Sequence, residues 1–523
     1  MPPDARRTTH PLVFEINTRC WLRDLAARHS QAILLSNAPE AEFELWLRRG
    51  FTHIWLMGVW TTGPRSRDVF LSHPDTPPRF AAELEAAGGV PGSPYAIAAY
   101  EVPAALGGED GLRQFRERLH RRGLKLLLDF VPNHVGLDHP WLSGRPEFFV
   151  QSPEAGSGTF LQQTRDGPRW IAHGKDPYFP PWADTAQLDF RSGATRAAVI
   201  DVLRSVAARC DGVRCDMAML LLGDVFARNW EQLPCPAPTT ALEFWSEAIT
   251  AVRRPDFLFL AEAYWDLEER LQSLGFDFTY DKRVTDFIIE RRPRELQRHL
   301  LVKGDAFVRR CAHFLENHDE PRIASRLSLE EHRAAALLTL GLPGMRLVHE
   351  GQLEGARLRA PIELARRVEE PVDPGIAAMY DRFLAALPAT AVGFGRGHIV
   401  KPFPVPCGGG AALAGAHHWL TPADTRQETD THQDVVIVWW LGQEPAFDLV
   451  AVNLSENVST CWLEFPMAKL AEHEWEFRDF LGNERFTVAG AELRVGLLLQ
   501  LRPHAAHLFH VNPIANHPET GRG

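Results

Sequence analysis

Short apolar runs alternate with amphipathic stretches over the first ~390 residues, a pattern that predicts repeated βα units. The runs that read as strands cover residues 12–17, 53–58, 125–131, 212–216, 257–262, 276–280, 312–316 and 346–349. Several are apolar without alternation, as expected for parallel strands covered on both faces. Between them, residues 111–122 read as a helix stopped by Gly123. Residues 195–208 carry apolar positions at helical spacing. Ser328 with Glu331 has the pattern of a capping box opening a helix over 330–340. Eight strands with helices between them predict a closed (β/α)8 TIM barrel. A doubly wound sheet would give a similar string of elements.

Two features break the alternation. Residues 135–191, rich in Gly, Pro and aromatics, separate the third and fourth runs. Barrel loops are usually much shorter, so this stretch reads as an inserted subdomain. From residue 392 the pattern becomes short strands with turn residues between them, among them DVVIVWWLG, FDLVAVNLS and WEFRDFL. That predicts an antiparallel β-sandwich. The expected division is a barrel over 1–134 and 192–391, the insert over 135–191, a sandwich over 392–513 and a disordered tail over 514–523.

Composition narrows the function. The formal charge is −11 with no basic tract, which argues against nucleic acid or an anionic membrane as partner, since both need a positive surface. The 15 Trp suit a pyranose ligand, whose face is apolar. The seven Cys are odd in number and form no CxxC, so neither a disulfide frame nor a zinc site is expected. The opening residues MPPDARRTTHPLVFEIN lack the apolar core of a secretory signal, and no run is long enough to span a bilayer. A cytoplasmic location is expected.

The strand ends carry the chemistry. In barrel enzymes the active site lies at the C-terminal ends of the strands. The third run ends in Asp129, followed by Asn133 and His134; the fourth ends in Arg214-Cys215-Asp216; the fifth ends in Glu262; the seventh ends in Glu316-Asn317-His318-Asp319. An Asp after a strand is often only a turn or helix cap. Four such ends converging on one rim are not explained by capping.

DFVPNH, DGVRCD, LAEA and ENHD resemble, in order and on the appropriate strands, the four short conserved regions of glycoside hydrolase family 13, the α-amylase family. SPYAIAAY, from Ser93, is similar to the segment whose Tyr stacks on the cleaved sugar. ADTAQLDF and LPGMRLVHEGQ resemble the segments that close the insert and form the eighth strand. The resemblance implies a retaining glycosidase for α-glucans or oligosaccharides, with Asp216 as nucleophile, Glu262 as acid/base and Asp319 as the carboxylate that stabilises the strained sugar. It implies that His134 and His318 donate to the same sugar and that Tyr95 is the stacking platform. Asp129 and Asn133 would stand behind these groups, Asp129 holding Arg214 or its neighbours. Arg214 lies two residues before Asp216, on the same strand face, where its charge would keep Asp216 ionised. Glu262 must start protonated, and its neighbours Ala261, Ala263, Tyr264 and Trp265 offer the apolar setting that raises a carboxyl pKa.

The sequence departs from the family in places. The segment after the first strand, INTRCWLRDLAARHS, lacks the oxygen-rich spacing of a calcium loop. Asn133 with Asp176 or Asp184 could supply another calcium site, but no spacing rule in this sequence supports it. No metal or other cofactor is therefore expected. Ala99 precedes Tyr100 where the family often has Asp, which speaks against exo action. Met217-Ala218-Met219 replaces the Lys-His pair of many endo-amylases, which speaks against strong endo action. A transglycosylase or isomerase on the same carboxylates, and a non-catalytic binding protein on the same fold, are the competing readings.

Overall fold

The computed structural model describes residues 10–72, 89–234, 243–405, 431–467 and 470–514. Eight strands close into a barrel: β1 (Leu12–Asn17), β2 (His53–Met57), β3 (Lys125–Phe130), β4 (Gly212–Cys215), β5 (Leu258–Ala261), β6 (Phe278–Tyr280), β7 (Cys311–His313) and β8 (Met345–His349). Neighbours pair in parallel in chain order, and β8 closes on β1 with Leu12 opposite Arg346. This is the predicted closed barrel, not a doubly wound sheet.

Strand parity splits the side chains into two cores. Val13, Trp55, Leu127, Leu260, Tyr280 and Leu347 pack together inside the barrel. Phe14, Ile54, Leu128, Val213, Cys215 and Phe259 pack against the surrounding helices. With side chains alternating along each strand, Glu15, Asp129 and Arg214 point inward, and Cys215 points away from the barrel interior. Several strands stop short of their apolar runs: β4 ends at Cys215, β5 at Ala261 and β7 at His313. Asp216 and Glu262 follow directly, and their N–H groups still donate to Phe130 O at 2.9 Å and Cys215 O at 3.0 Å. Those bonds fix the height of both residues at the rim.

Helices Gly108–His120, Gly193–Ala208 and Leu329–Gly341 lie in the predicted places. Ser328 Oγ accepts the Glu331 N–H, and the Glu331 carboxylate accepts the Ser328 N–H at 2.8 Å, which is the predicted capping box.

Between β3 and β4, a pair of strands (His134–Gly136 with Thr185–Gln187) and a three-stranded sheet (Gln151–Ser152, Gly167–Ala172, Thr159–Thr164) rise over the mouth. A Cβ on Gly136 would fall 2.4 Å from Ala96 O, so only Gly lets the Tyr95 loop pass this close.

After the barrel come β9 (Arg396–Val400), β10 (Val435–Leu441), β11 (Phe447–Asn453), β12 (Ser459–Leu463), β13 (Glu474–Asp479), β14 (Arg485–Ala489), β15 (Leu497–Leu501) and β16 (Ala506–Ile514). They form a six-stranded sheet in the order β9-β10-β11-β16-β13-β14, and β12 pairs with β15. Val436, Val438 and Trp440 join the core of the barrel's outer face, while Val435, Ile437 and Trp439 pack in a second core with Leu463 and Leu499. Trp440 Nε1 donates to Gly341 O at 2.8 Å, tying the sheet to the barrel. Residue 514, expected to open a disordered tail, instead ends β16, because it pairs with Glu474 across the sheet. Residues 515–523 of that tail, the first nine residues read for a secretory signal, Cys235 and Cys407 lie outside the described residues.

Candidate active site

The mouth is organised by one buried cation. Arg214 is fully buried, and its guanidinium forks between two carboxylates: Nη1 to Asp216 Oδ1 at 2.7 Å and Nη2 to Glu262 Oε2 at 2.8 Å. The sequence pointed to the first contact and missed the second. The guanidinium also lies 5.2 Å from the Tyr95 ring and 5.5 Å from Trp55, and Nε donates to Tyr280 Oη at 3.4 Å. Asp129 stands behind it, with Oδ1 3.7 Å from Nη1 and no hydrogen bond to either carboxylate oxygen. Burial pushes Asp129 up to about 7, against the pull of Arg214.

The loop after β5 shapes Glu262. Trp265 and Asp266 both take left-handed φ, 66° and 60°, which turns the chain back sharply. Tyr264 Oη donates to Glu262 Oε1 at 2.8 Å. Across the rim, Met217, also left-handed at φ 43°, donates its N–H to Glu262 Oε2 at 2.7 Å. Left-handed non-Gly residues store strain that surrounding structure must hold; Met217 in this conformation sets its N–H on Glu262. Burial raises Glu262 to about 7; Arg214 opposes this, and the negative charges of Asp216 and Asp319 add to it. Asp216 is also raised by burial, with Arg214 opposing.

Asp319 faces the opening: its side chain is 41% exposed, against 8% for Asp216 and 5% for Glu262. Asn317 Oδ1 accepts the N–H groups of Asp319 and Glu320, an Asx turn that aims Asp319 outward. Arg359 Nη1 donates to the Asp319 carbonyl at 2.5 Å. His318 Nε2 sits 3.0 Å from Asp319 Oδ2 and 2.7 Å from Tyr95 Oη, and the two rings stack at 5.2 Å. Burial works against the charge on Asp319, but His318 outweighs it and holds the carboxyl at about 2. Tyr95 is thus tied to His318 and Arg214 at the edge of the mouth.

His134 lies on the first strand of the insert, buried against Trp182 at 5.0 Å, and burial drives its imidazole down to about 4, so it is neutral. Asn133 exchanges bonds with Gln187, whose Nε2 donates to Asn133 Oδ1 at 3.1 Å. Asp176 caps the N–H groups of Tyr178 and Phe179, and Asp184 accepts from Ser66 Oγ at 2.7 Å. Each of Asn133, Asp176 and Asp184 thus has a hydrogen-bond partner within the protein.

A cleft of about 850 Å³ opens between the insert and the loop after β4. Trp265, Tyr178 and Trp230 line it, with Tyr178 edge-on to Trp265 at 5.0 Å and Lys175 Nζ 4.8 Å from the Trp230 ring.

Comparison with known proteins places this geometry. The family profile described as the α-amylase catalytic domain matches residues 50–363. The chain is 26% identical over 269 residues to the α-amylase MalA of Haloarcula japonica, an alignment covering 50% of this chain and 36% of that one. It is 26% identical over 206 residues to the α-1,4-glucan:maltose-1-phosphate maltosyltransferase of Pseudomonas aeruginosa, covering 38% and 26%. The chain spans between about a quarter and just over half of the length of the curated relatives it matches. The structure of the maltogenic α-amylase AmyB of Thermotoga neapolitana superposes with a TM-score of 0.65 at 19% identity, covering 97% of this chain and 99% of that one, which shows the shared fold.

Proposed function

The chain belongs to the α-amylase family, and from that membership and the geometry of its mouth we propose that it is a retaining glycoside hydrolase acting on α-glucosidic bonds of α-glucans or maltooligosaccharides. The observation that carries the reading is the shared guanidinium. Retaining enzymes hold their two carboxyls about 5–5.5 Å apart, whereas inverting ones leave room for a water between them. One Arg214 side chain reaches both Asp216 and Glu262, which supports the short separation.

The steps follow from the hydrogen bonds. Glu262 Oε2 accepts the Met217 N–H and pairs with Arg214, while Oε1 accepts from Tyr264 Oη, and burial keeps a proton on the carboxyl group. That proton passes to the glycosidic oxygen as the bond to the anomeric carbon breaks. Asp216, ionised beside Arg214, attacks the same carbon and forms a glycosyl-enzyme. Asp319 faces the positive charge that develops on the sugar. In the second half, Glu262 takes a proton from water, the oxygen attacks the anomeric carbon, and Asp216 is released. Two inversions give net retention.

A second reading keeps the first half and passes the glycosyl group to another sugar. The aromatic cleft lined by Trp265, three residues past Glu262, supports it, because flat rings suit a second sugar as acceptor. A non-catalytic role is not supported, since the full carboxylate set is assembled. The five described cysteines are free and buried, which fits the expected cytoplasmic location.

The test is turnover on maltose, trehalose, maltoheptaose, pullulan and glycogen with product sizing. Release of shorter sugars, abolished in Asp216→Asn, supports hydrolysis; products longer than the substrate support transfer. No cleavage of any α-glucoside contradicts both.

A further inference from the structure

Glu15 is a fully buried carboxylate in the continuous apolar run of β1. Its inward parity places it under the site, with Oε1 2.5 Å from His318 Nδ1 and Oε2 without a hydrogen-bond partner. The other ring nitrogen, Nε2, faces Asp319 Oδ2 at 3.0 Å. Nε2 also lies 2.7 Å from Tyr95 Oη: a neutral ring protonated only at Nδ1 could accept that hydroxyl but would set a bare lone pair against the Asp319 carboxylate, whereas the doubly protonated ring turns an N–H toward the carboxylate on each side. We propose that Glu15 is a positioning residue that holds His318 as an imidazolium, so that the ring clamps Asp319 as a carboxylate at the mouth of the barrel.

The surroundings agree. Trp55 meets the ring edge-on at 5.7 Å from β2, and Tyr95 stacks on it, so the ring cannot rotate away from either carboxylate. Asp129 from β3 and Asp216 after β4 add negative charge that acts on the ring. On the β8 side, His349 is driven well below its usual value by burial and by Arg322, so it is neutral. Arg322, Arg359 and Arg367 with Glu350 line a small void of about 20 Å³ beside the ring. Arg322 is bound to Glu316, and Arg367 to Glu350 and Asp24, which neutralises most of their charge. Burial works against the charged ring, but Asp319 and Glu15 overcome it and hold His318 well above the ordinary histidine range. The role given to Asp319 rests on the glycosidase reading; the protonation state of the ring does not.

The test is long-range ¹H–¹⁵N NMR of the full chain labelled in histidine, with the His318 signals identified by their loss in His318→Gln. At pH 8 the wild-type ring is expected to show both nitrogens protonated. In Glu15→Gln, which keeps the shape and an acceptor oxygen but not the charge, the ring is expected to titrate at lower pH. Its kcat/KM falls by about tenfold or more, the loss of one charge-assisted hydrogen bond. A wild-type ring with one bare nitrogen at pH 8 overturns the proposal, as does an unchanged titration in Glu15→Gln. The wild-type spectrum needs neither a folded variant nor a working substrate, so its failure is separable from failure of the glycosidase reading.

Discussion

Arg214→Lys keeps the positive charge and removes the fork, because one ammonium cannot take the place of both guanidinium arms. In the native site the arms bond Asp216 at 2.7 Å and Glu262 at 2.8 Å, and all three side chains are buried. Losing one charge-assisted bond costs about 1.5–3 kcal/mol. Expressed at the transition state, that is a fall in kcat/KM of roughly 10- to 150-fold. The pH profile carries more information than the rate. Arg214 opposes the upward push of burial on both Asp216 and Glu262. With the charge displaced, both groups hold their protons to higher pH. Asp216 must be ionised, so the acid limb moves up; Glu262 must be protonated, so the alkaline limb, set near 7 in the native enzyme, moves up as well. The assay is kcat/KM on a maltooligosaccharide from about pH 4 to 10, with a thermal melt to show that the variant is folded. A packing defect alone would lower the whole bell without shifting it. A loss under about threefold with both limbs unmoved would refute the reasoning, since at least one buried charged bond has been removed.

Glu262→Gln is expected to lose roughly 10²–10⁴-fold on maltooligosaccharides. On α-maltosyl fluoride, whose leaving group needs no proton, formation of the glycosyl-enzyme is expected to be far less affected; equal loss on both substrates argues against an acid role. Asp216→Asn is expected to have no measurable turnover yet melt as a folded protein, because Arg214 still pairs with Glu262. Trp440→Ala empties a fully buried site between the C-terminal sheet and the barrel and is expected to cost about 3–5 kcal/mol in denaturant unfolding, with kcat unchanged at low temperature.

The barrel was legible because its strands are buried on both faces and so read as unbroken apolar runs. Their ends were less legible. Asp216 and Glu262 extend each run in sequence and keep one hydrogen bond each to the neighbouring strand, although the regular strands end one residue before them. The carboxylates were found through family motifs at those ends. The contacts between strands were not, because pairing register and loop conformation are not local properties. Arg214 reaching Glu262 depends on β4 lying beside β5. Tyr264 folding back on Glu262 lies in a loop whose next two residues, Trp265 and Asp266, are left-handed, a conformation their types do not announce. Glu15 did leave a signal, a charge inside the run LVFEIN; in a strand covered on both faces such a charge needs a partner. The helix Gly490–Val495 between β14 and β15 was hidden by the strand-like spacing around it.

The central claim is a covalent bond to Asp216 within reach of Glu262, and it can be seen directly. Glu262→Gln incubated with α-maltosyl fluoride is predicted to accumulate a maltosyl adduct, since fluoride departs without an acid and release needs the missing base. Peptide mass spectrometry is predicted to find the added sugar on residue 216. An unmodified chain that still consumes the fluoride, or an adduct on any other carboxylate, would contradict the account.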